Sequence, residues 1–193
     1  MQTNVLTSSR SLRNLYFVRT VFQILWAVGV LATAETQPSF AAVLLIAYPL
    51  WDVACTLWDL MTSNSDGSAR TSQVVNAVLG TAVAAGIGFT IFSQPKFAIA
   101  TFGAWALGAG VLQLVAGLIR RRQLGGQWAM ILSGAQSSVA GIAFLLGGLT
   151  GKVHVKDLGG YAIFGAIYFL IAGVLLSRKL GHSEAMTTQS SAS

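Results

Sequence analysis

Phe97-Ala98-Ile99-Ala100-Thr101-Phe102-Gly103-Ala104-Trp105-Ala106-Leu107-Gly108-Ala109-Gly110-Val111-Leu112-Gln113-Leu114-Val115-Ala116-Gly117-Leu118-Ile119 lies between Lys96 and Arg120 and carries no ionisable side chain. As a helix rising about 1.5 Å per residue, such a run crosses a hydrocarbon core roughly 30 Å thick. Five other segments approach the same requirement: 15–34, 40–61, 73–92, 127–149 and 158–176. No stretch alternates with period two over barrel-like lengths, so the expected fold is all-α. Short polar connections separate the runs, and none is long enough to hold a soluble domain.

Composition agrees with the runs. Charged residues are 9% of the 193, against about a quarter in ordinary soluble domains, and 54% are hydrophobic. Too few charges remain to cover a soluble surface. The net charge of +6 comes from only 12 Lys and Arg, too few for a groove-sized nucleic-acid patch, so no nucleic-acid partner is expected. A single Cys excludes an intramolecular disulfide, and with two His it leaves a structural zinc site without ligands. No metal or cofactor is expected.

The basic residues set orientation. Arg10, Arg13, Arg70, Arg120, Arg121, Arg122, Arg178 and Lys179 fall on one side of a six-span topology, and Lys96, Lys152 and Lys156 on the other. The positive-inside rule then predicts cytoplasmic termini in an inner membrane. Arg120, Arg121 and Arg122 are candidates to meet anionic lipid headgroups. Arg10 and Arg13, the first apolar run and Ala32-Thr33-Ala34 loosely imitate a signal peptide. Arg19 interrupts that run, however, and the segment is expected to stay as a structural helix.

The chain repeats itself. Gln37-Pro38-Ser39-Phe40-Ala41 recurs as Gln94-Pro95-Lys96-Phe97-Ala98, 57 residues on. Ala85-Gly86-Ile87-Gly88-Phe89 recurs as Ala140-Gly141-Ile142-Ala143-Phe144, and Ala109-Gly110-Val111-Leu112 as Ala172-Gly173-Val174-Leu175. The unit is a helical hairpin used three times, over about 15–61, 73–119 and 127–176, between polar tails 1–14 and 177–193 that are expected to be mobile. Pro38 and Pro95 suit the first turn of a returning helix. Residues four apart, Gly80/Ala84/Gly88, Ala100/Ala104/Gly108 and Ser133/Ser137/Gly141, mark close-packing faces that serve the bundle or a homo-oligomer.

Repeated hairpins, the matched Pro turns and the Arg-rich approach to Gly125-Gly126-Gln127-Trp128-Ala129-Met130-Ile131-Leu132-Ser133-Gly134 resemble the HdeD-like family of short-repeat membrane proteins. The likeness spans roughly 12–178. It implies a six-helix bacterial inner-membrane protein associated with envelope or acid-stress tolerance, and it supplies no mechanism. Helix 2 departs from the repeat. It holds Asp52 and Asp59 where the positions 57 residues on are Ala109 and Ala116.

Arg19, Asp52 and Asp59 are the three charges inside predicted spans, each costing roughly 2.5–3.5 kcal/mol on insertion scales. Asp52 and Asp59 are seven residues apart, on nearly one face of their helix with Cys55 between them. Measured from a hairpin midpoint near Gln37, Arg19 matches the depth of position 55, about 4.5 Å from one Asp level and 6 Å from the other. An ion pair of Arg19 with either carboxylate would fasten helix 1 to helix 2. The second Asp is then left over: Asp59 near the cytoplasmic end and wet, or Asp52 beside Pro49 as a proton- or cation-handling site. Gln23, Asn76, Gln113 and Gln136 are expected to make interhelical hydrogen bonds. Trp58 and Trp128 at one boundary and Tyr161 at the other read as interface anchors, with Trp26, Trp51 and Trp105 in the core. His154 reads as solvated and His182 as uninvolved. No catalytic set assembles, and no paired carboxylates are expected to face a cleft. The functional expectations are therefore a non-enzymatic HdeD-like membrane protein, a small transporter or channel centred on Asp52, or a structural factor that oligomerises.

Overall fold

The computed structural model describes residues 2–62, 67–124 and 128–192, with side chains at 9–62, 67, 70–121 and 128–182. It contains six helices: α1 Gln2–Thr33, α2 Pro38–Thr62, α3 Gly67–Thr90, α4 Pro95–Leu124, α5 Trp128–Leu149 and α6 Asp157–Ala192. All six are long and apolar enough to span a membrane, and there is no strand among the described residues. Large apolar side chains cover the outside, including Leu25, Val28, Phe89 and Val139. A soluble protein buries such residues, whereas lipid solvates them. The chain is a multi-pass membrane protein by this pattern.

The helices close into a ring. Each packs on the next in sequence, and α6 returns to pack on α1. The first two turns within hairpins, α1–α2 and α3–α4, are built alike. The Gln37 amide donates to the Thr33 carbonyl and the Gln94 amide to Thr90, while Ala41 and Ala98 donate back to Gln37 and Gln94. Pro38 and Pro95 thus open α2 and α4 at a position where a missing N–H costs nothing. The third turn lacks Pro and uses a glycine cap. Gly151 adopts φ 71°, the Lys152 amide donates to the Gly147 carbonyl, and the Gly151 amide donates to Gly148.

Tight packing falls between hairpins as well as within them. A Cβ on Gly110 would stand 2.6 Å from the Ser138 amide nitrogen, and one on Gly134 2.7 Å from that of Leu114. Gly103 and Gly141 face each other in the same way, as do Gly148 and the backbone at Ala100. The α4–α5 seam therefore runs on Gly103/Gly110/Gly117 against Gly134/Gly141/Gly148, seven apart along antiparallel helices. On α4 this departs from the expected stripe Ala100/Ala104/Gly108, whereas Ser133, Ser137 and Gly141 of α5 are all buried, as expected. Ala104 is exposed and Gly108 turns to Leu79 of α3. Seven residues is nearly two full turns, so this spacing keeps one face aligned over a longer contact.

The tails expected to be mobile continue as helix. α1 begins at Gln2 and α6 runs to Ala192, and Leu12 and Leu180 are buried in one cluster with Tyr16 and Phe169. No Pro or strong turn signal interrupts either segment, and the α1–α6 contact gives the extended turns an apolar partner. The expected loop after Ile119 is likewise helical as far as Leu124, while 63–66 and the Gly125-Gly126-Gln127 loop lie outside the described residues.

Candidate functional site

Along the ring axis the interior divides into three levels. At the end carrying the three turns within hairpins, a cleft of about 570 Å³ is lined by Pro38, Ile91, Pro95, His154 and neighbours. Its mouth is strapped by Lys156 Nζ donating to Glu35 Oε1 at 2.5 Å, which ties the third turn to the first. Beneath it the axis is filled by rings. Tyr48 contacts Trp26, Phe102, Trp105 and Tyr161, and Phe144 packs edge-on to Phe102 and Tyr161. Phe102 is fully buried. Tyr161 therefore belongs to this plug and not to the interface where it was expected. Its hydroxyl shares a 2.7 Å hydrogen bond with Ser137, which satisfies the polar tip inside the bundle.

The polar level follows. Asp52 accepts from Arg19 Nη1 at 2.7 Å and from Asn76 Nδ2 at 2.6 Å. Asn76 Nδ2 also reaches Thr56 Oγ1, and the Arg19 guanidinium lies over the Phe169 ring. Two helical turns along α2, Asp59 accepts from Gln73 Nε2 at 2.5 Å and from the guanidinium of Arg120. Arg120 also hydrogen-bonds Tyr16. Each carboxylate is thus held by one Arg and one amide, with the Arg drawn from a different helix in each case.

Of the two expected ion pairs, the structure makes Arg19–Asp52. Asp59 is not left over as an unpaired carboxylate near the helix end. It is 8% exposed and paired to Arg120. Arg120, expected at lipid headgroups, turns inward, because a buried carboxylate without a counter-charge is strongly destabilising. Arg121 is exposed, and the side chain of Arg122 lies outside the described ones. Cys55 is buried among α1 and α6 residues. Gln113 Nε2 donates to the Met130 carbonyl, as an interhelical bond, at 3.3 Å. Trp26 and Trp105 are buried and Trp58 and Trp128 exposed, as expected.

Both carboxylates line one cavity of about 100 Å³, against the expectation that none would face a cleft. Its walls include Tyr16, Gln73, Asn76, Gln113 and Ala116, and it extends to Leu12, Ser72 and Arg120 at the end of the bundle that carries both termini. A smaller void of about 30 Å³ shares Arg19, Asp52 and Gln113 with it and continues to Gln23, Gln136 and Tyr161 under the plug. No protein-family model, curated protein or solved structure matches this chain.

The internal repeat builds this site. Arg19, Asn76 and Ser133 stand at successive 57-residue intervals on α1, α3 and α5, as do Tyr16, Gln73 and Met130. All six line the cavity or its extension. On the even helices the same interval pairs Asp52 with Ala109 and Asp59 with Ala116. The two Ala walls leave the volume that a second pair of larger side chains would fill. Arg120 had a signal of its own: Ala109, Gln113, Ala116 and Arg120 recur at i, i+4, i+7 and i+11, one helical face.

Three amide carbonyls here lack hydrogen-bond partners: Gln73 Oε1, Asn76 Oδ1 and Gln23 Oε1. The amide nitrogens of Gln73 and Asn76 must face the carboxylates, since only N–H can donate there. Their oxygens are therefore turned away from the charges by necessity. All three oxygens are closed off from the open volume, as are the unpartnered indole nitrogens of Trp51 and Trp105, and a buried unmade bond costs about 1–3 kcal/mol.

Proposed function

We propose that this protein is a small-solute transporter or channel of the membrane, with its solute site in the polar cavity between Arg19–Asp52 and Arg120–Asp59. The observation that carries this is the cavity itself. Two ion pairs and their amide partners surround open volume at mid-bundle, where a purely structural staple would be packed shut. About 100 Å³ is room for several waters or one small molecule. The aromatic plug closes the path toward the turn side, so the conformation is one open toward the end bearing the termini. The eight-to-three excess of basic residues supports a cytoplasmic position for that end in an inner membrane. A role in envelope or acid-stress tolerance rests on the HdeD-like resemblance alone.

The test is flux in proteoliposomes across protons, monovalent cations and small uncharged solutes, comparing wild type with Ala116→Leu. Leu at 116 fills the cavity while keeping every charged partner. Faster flux of any one class in wild type, abolished by Ala116→Leu in a protein that still elutes as a single species, is the expected result. Equal flux for both proteins and protein-free vesicles in every arm overturns the proposal and leaves the ion pairs as fasteners of α1 to α2 and α2 to α4.

A further inference from the structure

We infer that the transport path is gated by one apolar layer that the internal repeat builds. Its members are Val30, Ile87 and Phe144 on the odd helices and Leu45, Phe102 and Leu158 on the even ones. This rests on the transport reading above and places the barrier and the second vestibule of the same path. Depth comes first. Val30 and Ile87 lie seven residues before Gln37 and Gln94, and Leu45 and Phe102 lie eight after them. Phe144 and Leu158 lie seven residues either side of Gly151 in the third turn. At about 1.5 Å per residue, all six stand roughly 10–12 Å below their turns. The repeat sets this register: Val30, Ile87 and Phe144 follow each other at 57 residues, as do Leu45 and Phe102.

Burial and the open volumes on either side then give the layer its role. Five of the six are fully buried, Phe144 is 9% exposed, and all belong to one core cluster. Above them, Ala42 on α2, Ile99 on α4 and Val155 just before α6 line the cleft of about 570 Å³ at the turn end. Below them, Tyr48, Trp105 and Tyr161 on the same three helices line the void that joins the polar cavity. Leu45, Phe102 and Leu158 each stand three residues from a wall of either volume. Six residues of helix rise about 9 Å, so one layer of hydrocarbon side chains separates the two openings. A constriction without polar atoms keeps out water and charge until it wets, and this is how it gates. The cleft is then the far vestibule of the path, and the Glu35–Lys156 strap lies outside the barrier.

The experiment follows protons, sodium and urea into proteoliposomes holding the full chain, comparing wild type with Leu45→Ser, Leu158→Ser and Leu176→Ser. Leu176 is 6% exposed in the other core cluster and serves as the buried control. In the arm that wild type conducts, Leu45→Ser and Leu158→Ser are expected to raise flux about ten- to hundredfold, the weight of one buried Leu side chain. Leu176→Ser is expected to leave it unchanged. Wild-type flux that the two layer variants do not raise, or that all three variants raise alike, overturns the gate and leaves the transport reading standing. Background rates in wild type and every variant overturn both. Where a Ser variant fails to elute as a single species, Ala42→Cys and Ala109→Cys in a Cys55→Ala background probe the layer with a membrane-impermeant methanethiosulfonate. The reagent is expected to modify Ala42→Cys from the turn side alone and Ala109→Cys from the terminus side alone. Modification of both from one side overturns the barrier.

Discussion

Asp59 on α2 and Arg120 on α4 meet inside the bundle, 61 residues apart in sequence, across the width of α3. The pair ties the second hairpin to the first and brings a charge from the edge of a basic cluster into the protein interior. Gln73 of α3 completes the contact from between them.

Removing one partner exposes the cost of the other. Arg120→Ala is expected to destabilise the protein by about 3–5 kcal/mol, because Asp59 is left buried with its charge uncompensated. The neighbouring Arg121→Ala, at an exposed position, is expected to change stability by less than about 0.5 kcal/mol. Unfolding by denaturant titration in mixed micelles separates them. Equal losses in the two variants would show that Arg120 does not act through Asp59.

The Arg19–Asp52 pair is predicted to behave as a coupled unit. Asp52→Leu or Arg19→Met alone should each lose about 3–5 kcal/mol, while the double change recovers most of it, since an apolar pair needs no counter-charge. A double-mutant cycle on the same titration measures the coupling. Strict additivity would contradict the 2.7 Å contact as an energetic interaction.

The glycine seam makes a sharper steric claim. Gly110→Ala puts a Cβ 2.6 Å from the Ser138 backbone nitrogen, so α4 and α5 must part, and overpacking of this kind costs about 1–3 kcal/mol. Gly160→Ala, with nothing within 4 Å of its Cβ, should be neutral or mildly stabilising through better helix propensity. Thermal melts of the two variants decide it, and a neutral Gly110→Ala would mean the seam has slack.

At the cleft mouth, Glu35 is held below the usual carboxylate range by the hydrogen bond and charge of Lys156, and Lys156 is raised by the same bond. The sign follows for each. The Glu35 contribution is present above the ordinary glutamate value and lost as pH falls through its lowered one. The Lys156 contribution is present below the ordinary lysine value and lost only as pH rises through its raised one. The strap is therefore intact throughout the neutral range. Lys156→Met should move the Glu35 titration upward, read by carboxyl carbon NMR in a glutamate-labelled sample. An unmoved midpoint would mean that the two side chains do not pair in solution.

Phe102 tests the plug. Phe102→Ala removes a fully buried ring that contacts Trp26, Tyr48, Trp105, Phe144 and Tyr161. A loss of about 3–5 kcal/mol in stability is expected, together with faster and less selective solute leak in vesicles that contain the folded variant. A folded Phe102→Ala with unchanged leak would place the barrier elsewhere.

Six spans, their all-helical character and the two Pro turns were legible in the chain, because apolar run length and local turn chemistry are properties of neighbouring residues. So was the oddity of Arg19, Asp52 and Asp59, since a charge in an apolar run announces itself without any fold. The repeat even held the register of the site: Arg19, Asn76 and Ser133 are three readings of one position. The inward turn of Arg120 was half-written in the face it shares with Ala109, Gln113 and Ala116, but which Asp takes Arg19 and that Tyr161 joins the plug were decided only by the closed ring. Those contacts join helices that are distant in sequence, and the choice among them depends on how far each helix is rotated about its axis. Packing of the α4–α5 glycine seam and the return of α6 to α1 set that rotation, and no local pattern in the chain encodes it.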